Sequence, residues 1–250
     1  MKMRLDKLLV ERGLATTRER AQALILAGRV LVREQKVEKP GTAVAEDAPV
    51  RLLGEELRYV SRGGLKLEAA LEHWGIEVAG RFCLDVGAST GGFTDCLLQH
   101  DAARVLAIDT GYGQIAQRLR DDERVTLRER TNARLLEPGE LPAGISLIAV
   151  DVSFISATLV LPAVLAALGE MGALEAVVLV KPQFEAGREH VGKGGIVRDP
   201  AAHRLAVERV RACVAALGGE EVETVESPIT GAEGNREFLL HAVWRKLHQK

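Results

Sequence analysis

Cysteine is scarce in this sequence and has no pairing pattern. Cys83, Cys96 and Cys213 are odd in number and show no Cys-x-x-Cys spacing. They read as reduced, mostly core residues of a cytosolic protein, which sets aside a disulfide framework and a cysteine-ligated metal site. Long apolar runs are missing as well. The longest candidate, residues 157–168, falls short of the roughly 18 residues a membrane helix needs and contains Pro162. The opening Met1-Lys2-Met3-Arg4-Leu5-Asp6 goes straight into charged helical sequence, so no secretory signal is visible. A strong charge of either sign is also lacking, since the net charge is −2.

What is present is the composition of an ordinary soluble globular protein, 47% hydrophobic and 27% charged over 250 residues. That length allows one large domain or two smaller ones. The charge is uneven. Residues 1–60 carry 12 Lys+Arg against 9 Asp+Glu, whereas residues 61–250 carry 21 against 26. Most of the basic excess lies before residue 42, as expected of a small polyanion-facing module on a neutral-to-acidic body.

The basic end reads as two short helices and a small sheet. Leu5, Leu8 and Leu9 give a helical stripe over residues 3–13 that stops at Gly13, and Thr16 or Thr17 caps a second helix carrying Ala21, Leu24 and Ile25. Val30, Val32 and Val37 then alternate with polar residues like a half-buried sheet. Between them Arg4, Lys7, Arg18, Arg20, Arg29 and Arg33 can line one side of this unit. The strings Arg4-Leu5-Asp6-Lys7-Leu8-Leu9, Arg18-x-x-Ala21-x-x-Leu24-Ile25-x-x-Gly28 and Val30-x-Val32 make this segment similar to the S4-type RNA-binding module. That likeness implies recognition of structured RNA by shape and phosphate contact.

Pro40-Gly41 and Asp47-Ala48-Pro49 punctuate the end of the module, and Leu57-Arg58-Tyr59-Val60 leads out of it. A boundary is expected near residues 57–62, giving domains 1–60 and 61–250, with Tyr59 in the linker. Ser61-Arg62-Gly63-Gly64 starts a helix with Leu65, Leu67, Ala70 and Leu71. Lys66 falls in its first turn, where the positive end of the macrodipole disfavours it.

The rest of the chain is organised around residues 82–94. Phe82-Cys83-Leu84-Asp85-Val86 reads as a buried strand, Gly87-Ala88-Ser89-Thr90-Gly91-Gly92 as a tight turn, and Phe93 onward as a helix. Such a turn brings bare backbone and free N–H groups up to a ligand. Gly87 and Gly92 match the outer positions of the dinucleotide fingerprint, but Ser89 replaces the middle glycine that admits a pyrophosphate. S-adenosylmethionine, which has none, fits better. Strands at 104–109, 125–130, 146–151, 176–181, 221–226 and 237–244 alternate with helices at 94–99, 114–120, 157–168 and 201–217. This pattern predicts a mostly parallel, doubly wound α/β sheet with its ligand beyond the C-terminal strand ends. The last two strands are too closely joined for a crossover and should form an antiparallel hairpin. An architecture of this kind resembles the Rossmann-like methyltransferases.

Polar residues close several strands. Asp109 can accept both ribose hydroxyls of an adenosine. Asn132 follows the third strand and either meets the adenine edge or serves as a turn residue. Asp151 and Lys181 end neighbouring strands, so their side chains can meet, and Lys66 and Glu237 can complete an alternating cluster.

The chain as a whole is similar to the TlyA family, an S4 module fused to an FtsJ/RrmJ-like ribose 2′-O-methyltransferase. The matching strings are Ser61-Arg62-Gly63-Gly64-Leu65-Lys66-Leu67, residues 85–95, Asp109-Thr110-Gly111-Tyr112-Gly113-Gln114, Asp151-Val152-Ser153-Phe154-Ile155-Ser156, Lys181-Pro182-Gln183-Phe184-Glu185 and Gly234-Asn235-Arg236-Glu237-Phe238. The resemblance implies methylation of a cytidine ribose in ribosomal RNA, 16S, 23S or both, by a cytoplasmic enzyme that meets ribosomal subunits and no membrane. It carries a Lys-Asp-Lys-Glu tetrad onto Lys66, Asp151, Lys181 and Glu237. S-adenosylmethionine is then expected at Asp85, Gly87, Ala88, Ser89, Thr90, Gly91, Gly92, Phe93, Asp109, Asn132 and Asp151, with no metal. In this chemistry Lys181 accepts or orients the hydroxyl proton, while Asp151 and Glu237 keep the two ammonium groups in place. The alternatives are a non-catalytic RNA-binding ribosome factor with a vestigial cofactor fold, and an NAD-dependent oxidoreductase. Members of the family also bear the haemolysin label, for which the sequence offers no strongly amphipathic basic helix.

Overall fold

A computed structural model describes residues 2–53, 58–169, 172–231 and 233–245. The chain divides into two compact units, Met1–Leu57 and Arg58–Lys250. Leu57, expected to open the linker, lies outside the described residues. Tyr59 is not a linker residue. It is 2% exposed, within the core of the larger unit, and a Cβ on Gly64 would overlap its ring, so only glycine lets that helix come so close.

The smaller unit runs β1 (Lys2–Arg4), α1 (Leu5–Glu11), α2 (Arg18–Leu26), β2 (Val30–Val32), β3 (Gln35–Lys36), β4 (Ala43–Ala45) and β5 (Val50–Leu52). The first helix starts later than its apolar pattern suggests because β1 pairs antiparallel with β4. Thr17 caps α2 by accepting the Arg20 N–H at 3.2 Å. Leu5, Leu8 and Leu9 pack against Leu24, Ile25 and Val30, and β2 lies between β3 and β5. Val37 follows β3 instead of forming part of it.

The larger unit begins with α3 (Gly63–Trp74), then β6 (Phe82–Val86), α4 (Gly92–Gln99), β7 (Arg104–Ile108), α5 (Gln117–Arg120), β8 (Val125–Arg128) and β9 (Ile145–Val150). It continues with α6 (Ala157–Ala167), β10 (Leu174–Val180), α7 (Pro182–Glu185), α8 (Pro200–Ala216), β11 (Glu220–Glu226) and β12 (Phe238–Trp244). One sheet orders them β11-β12-β10-β9-β6-β7-β8. Strands β6 to β10 run parallel, and β12 lies antiparallel between β10 and β11. Alternation along each strand feeds two cores. Leu84, Leu106, Ile148 and Val178 face α6 and α8, whereas Cys83, Val105, Leu147 and Val177 face α3 and α4.

Pro162 sits inside α6, so the carbonyl of Thr158 receives no helical N–H from it; Cys213 Sγ donates to that oxygen at 3.7 Å. Strands β7, β9 and β10 each end one residue before Asp109, Asp151 and Lys181. All three acidic or basic side chains therefore start at the C-terminal edge of the sheet, flanking the point where strand order reverses between β6 and β9.

Candidate active site

The turn after β6 shapes the site. Gly87 and Gly91 have φ of 90° and 95°, and Ser89, where a dinucleotide fingerprint has glycine, has φ of 50°. A Cβ on Gly87 would overlap the backbone carbonyl of Asp151, and one on Gly91 would overlap Leu119. The first glycine thus lets β6 and the segment after β9 approach, and the second seats the turn on α5. Ser89 donates its backbone N–H to Asp109 Oδ2 at 2.8 Å, and Gly111 donates to Oδ1 at 2.6 Å. Asp109 is thereby fixed, with lone pairs left for hydroxyl donors.

Asp85 is placed differently from the sequence expectation. It is fully buried beneath the turn, lines neither cavity of the site, and accepts from Thr94 Oγ1 at 2.6 Å. Burial, reinforced by the nearby Asp151 and Asp109 charges, pushes its carboxyl up to about 7. Oδ1 has no protein partner. The physical reason is strand alternation, which turns Asp85 towards α4 on the same side as Cys83. Gly91 also lines neither cavity; Leu119 lies behind it.

Two cavities flank the turn. One, of about 360 Å³, is lined by Gly87, Ser89, Asp109, Gly111, Gln114, Asn132, Val152 and Ile155. Asn132 also accepts the Arg134 N–H at 3.1 Å, so it is both a turn residue and part of the wall. The other, of about 520 Å³, contains Lys66, Lys181 and Glu237 with Ala88, Thr90, Gly92, Phe93 and Phe184 in its wall. Asp151, Ser153 and Phe154 belong to both, so the two recesses adjoin along these residues.

The four charged residues meet in the larger recess. Lys66 Nζ donates to Glu237 Oε2 at 2.5 Å, which settles the unfavourable lysine at the start of α3 by pairing it with the acid that precedes β12. Lys181 Nζ lies 2.5 Å from Asp151 Oδ1 in an ion pair and donates to Ser153 Oγ at 2.7 Å. Both lysine side chains are only 10% exposed, and at that depth an unpaired ammonium would be costly. Ser153 carries no signal of its own in the sequence, and neither do the two aromatics nearby. Phe154 is 92% exposed with φ of 65°, and its ring centroid lies 5.5 Å from that of Phe184. A bulky residue held in the left-handed region and turned to solvent at a cleft is the kind of local strain that gathers at functional sites.

In the smaller unit the basic candidates do not all stand free. Asp6 is fully buried and accepts from Arg4 Nη2 at 2.8 Å, Arg18 Nε at 3.0 Å and Gln22 Nε2 at 3.0 Å. Arg29 Nε donates to the carbonyl of Leu53. Lys7 and Arg33 are exposed and Arg20 is half-buried.

Residues 59–244 match the model of the FtsJ-like methyltransferases, and residues 3–50 match the S4 domain. The 16S/23S rRNA (cytidine-2′-O)-methyltransferase TlyA of Mycobacterium tuberculosis is 46% identical over 95% of this chain and 88% of its own. Hemolysin A of Brachyspira hyodysenteriae is 42% identical over 96% of this chain and all of its own. A solved Streptococcus thermophilus structure that bears the hemolysin name superposes with a TM-score of 0.72 at 43% identity, covering 98% of this chain and 89% of that one. This chain belongs to the FtsJ-like methyltransferase family, with an S4 domain ahead of its methyltransferase unit.

Proposed function

We propose that this protein transfers a methyl group from S-adenosylmethionine to the ribose 2′-hydroxyl of a cytidine in ribosomal RNA. One observation carries the reading: two ammonium–carboxylate pairs share a cavity that adjoins, at Asp151, a nucleoside-sized recess bounded by Asp109. The curated TlyA relative is named for that reaction.

The residues present suit the cofactor. Asp109 keeps lone pairs for the adenosine ribose, Asn132 and Gln114 stand where the base would lie, and Gly87, where a Cβ has no room, leaves bare backbone beside the turn. Ala88, Ser89, Thr90, Gly92 and Phe93 give the remaining wall, and Asp85 and Gly91 support the turn from behind. When bound, the cofactor supplies a methyl group on a sulfonium, already a strong electrophile.

The protein's part is alignment and proton removal. Lys181 Nζ, held by Asp151 and Ser153, orients the 2′-hydroxyl oxygen as an ammonium or, as the neutral amine, takes its proton, and Glu237 fixes Lys66 in the same recess. Phe154 and Phe184 offer ring surface to a base drawn out of its stack. The S4 unit supplies phosphate contacts from exposed Lys7 and Arg33 and from Arg20, while Arg4 and Arg18 also serve Asp6 and Arg29 also serves the Leu53 carbonyl. The partner is then a ribosomal subunit in the cytoplasm. No helix of the described residues is long and apolar enough to cross a membrane.

Mapping ribose methylation on ribosomal RNA from cells with and without the protein tests the reading. Loss of a 2′-O-methyl mark at one or more cytidines is expected, and unchanged maps in both subunits would refute it. A vestigial fold would show itself as absence of S-adenosylmethionine binding in isothermal titration.

A further inference from the structure

The wall of the larger recess opposite the Gly-rich turn is built by two irregular segments. One is residues 187–199, between α7 and α8, which has only two short 3₁₀ turns and contributes Val191 and Gly195. The other is the stretch before β12, which contributes Gly231, Asn235 and Glu237. A chain of hydrogen bonds ties them together. Asn235, 1% exposed, accepts the backbone N–H of Val197 through Oδ1 at 2.9 Å and donates Nδ2 to the carbonyl of Gly195 at 2.9 Å. His203 on α8, 5% exposed, lies with Nε2 2.9 Å from the carbonyl of the same Val197, a contact in which the ring nitrogen must be the donor. One residue, Val197, is therefore gripped at its N–H by the segment that carries Glu237 and at its carbonyl by α8. Asn235 is held in turn by Gly231, whose N–H donates to its backbone carbonyl at 2.8 Å.

We infer that Asn235 and His203 are positioning residues of the transfer reaction: they hold residues 187–199 as a fixed wall facing the target nucleotide and register that wall with Glu237. Neither His203 nor Val197 lines the recess, so His203 acts only through the peptide it holds. The buried Val197 side chain and local backbone bonds such as Gly192 N–H to the Ile196 carbonyl also hold this segment. The grip adds to them where four glycines (Gly187, Gly192, Gly194, Gly195) raise the entropy cost of a single conformation. Cofactor binding should be spared, because the adenosine recess lies on the far side of Asp151 and includes no residue of this segment. The inference rests on the proposed methyl transfer for its kinetic consequence, but the grip itself does not.

The test is a double-mutant cycle with two readouts on the full chain. The first is the rate of tryptic cleavage at Arg188, Lys193 and Arg198, all within the segment. The second is kcat and KM for ribosomal RNA, with S-adenosylmethionine affinity measured alongside by titration. His203→Leu and Asn235→Ala should each speed cleavage at those sites at least tenfold and lower kcat/KM at least tenfold, with cofactor affinity within threefold. The double variant should be little worse than either single one, because both release the same residue, Val197. His203→Gln keeps an N–H donor near the Nε2 position and should restore slow cleavage and turnover. Additive effects, unchanged cleavage in His203→Leu, or equal loss in His203→Gln and His203→Leu would overturn the inference. If the wild-type protein transfers no methyl group, the function proposed above fails while the cleavage cycle still decides the grip.

Discussion

Thr94 Oγ1 donates to Asp85 Oδ2 at 2.6 Å inside an enclosure where the carboxyl has no exposure at all, directly under the turn that the whole site is built on. Burial pushes that carboxyl up to about 7. Between the ordinary aspartate range near pH 4 and pH 7 the folded protein keeps a proton that the unfolded chain has released, so stability falls as pH rises through the window and levels off above it. The expected slope from this one group is about 1.4 kcal/mol per pH unit. Asp85→Asn removes the titration and keeps an acceptor for Thr94. Its melting temperature should gain on the wild type steadily from pH 5 to 7 and then run parallel. Two curves parallel across the whole range would show that the carboxyl titrates normally.

Lys181→Ala should cost about 10²–10⁴ in the single-turnover rate of methyl transfer, the usual worth of a positioned acid–base group. S-adenosylmethionine affinity should stay within about threefold, since Lys181 does not line the adenosine recess and Asp151, 21% exposed, can be solvated once its partner is gone. Stopped single-turnover assays and calorimetric titration separate the two effects. Near-full transfer in the variant would remove Lys181 from the chemistry.

In the S4 unit the Arg4 guanidinium, helped by Gln22 and Arg18, holds the buried Asp6 carboxyl well below the usual carboxylate range. The stabilisation is present above about pH 4 and disappears as pH falls through the lowered folded value. Asp6→Ala strands the arginines and should cost about 1–3 kcal/mol, as loss of hydrogen bonds to a charged group does. Hydrogen exchange of the α1 amides (Leu5–Glu11) should speed up, while those of β10 in the larger unit keep their protection. Unaltered α1 exchange would mean that the ion pairs contribute nothing.

How far these features can be read from sequence depends on the distance over which they act. Strand ends were legible because apolar runs stop at a charge, as at Asp109, Asp151 and Lys181, and strand adjacency then brings the last two together. Lys66 and Glu237 are 171 residues apart, and no local pattern pairs them with each other; the residues alone suggested only that both could join Asp151 and Lys181, and the family likeness made the four a tetrad. Asp85 was legible but read in the wrong direction, since its place beside a Gly-rich turn suggested a ligand while strand alternation turned it inward. Charge counting treated six basic residues alike, although a buried acid at Asp6 engages Arg4 and Arg18. The exposure of Phe154 could not be foreseen, because a phenylalanine in an apolar string signals core and its left-handed backbone leaves no mark in the sequence.

That exposure has a consequence of its own. A ring 92% exposed contributes little to folding, and φ of 65° costs a residue with a Cβ something to keep. Phe154→Gly should therefore leave the melting temperature unchanged or raise it. If the ring supports a base drawn into the recess, the same substitution removes about 1–3 kcal/mol of stacking, so kcat/KM for RNA should drop by about 5- to 150-fold. Phe154→Trp restores a stacking surface and should recover most of the loss, whereas Phe154→Leu, apolar but without a π face, should recover little. Equal recovery by leucine and tryptophan would mean that the position needs only bulk, and a drop in melting temperature for Phe154→Gly would mean that the ring is structural after all.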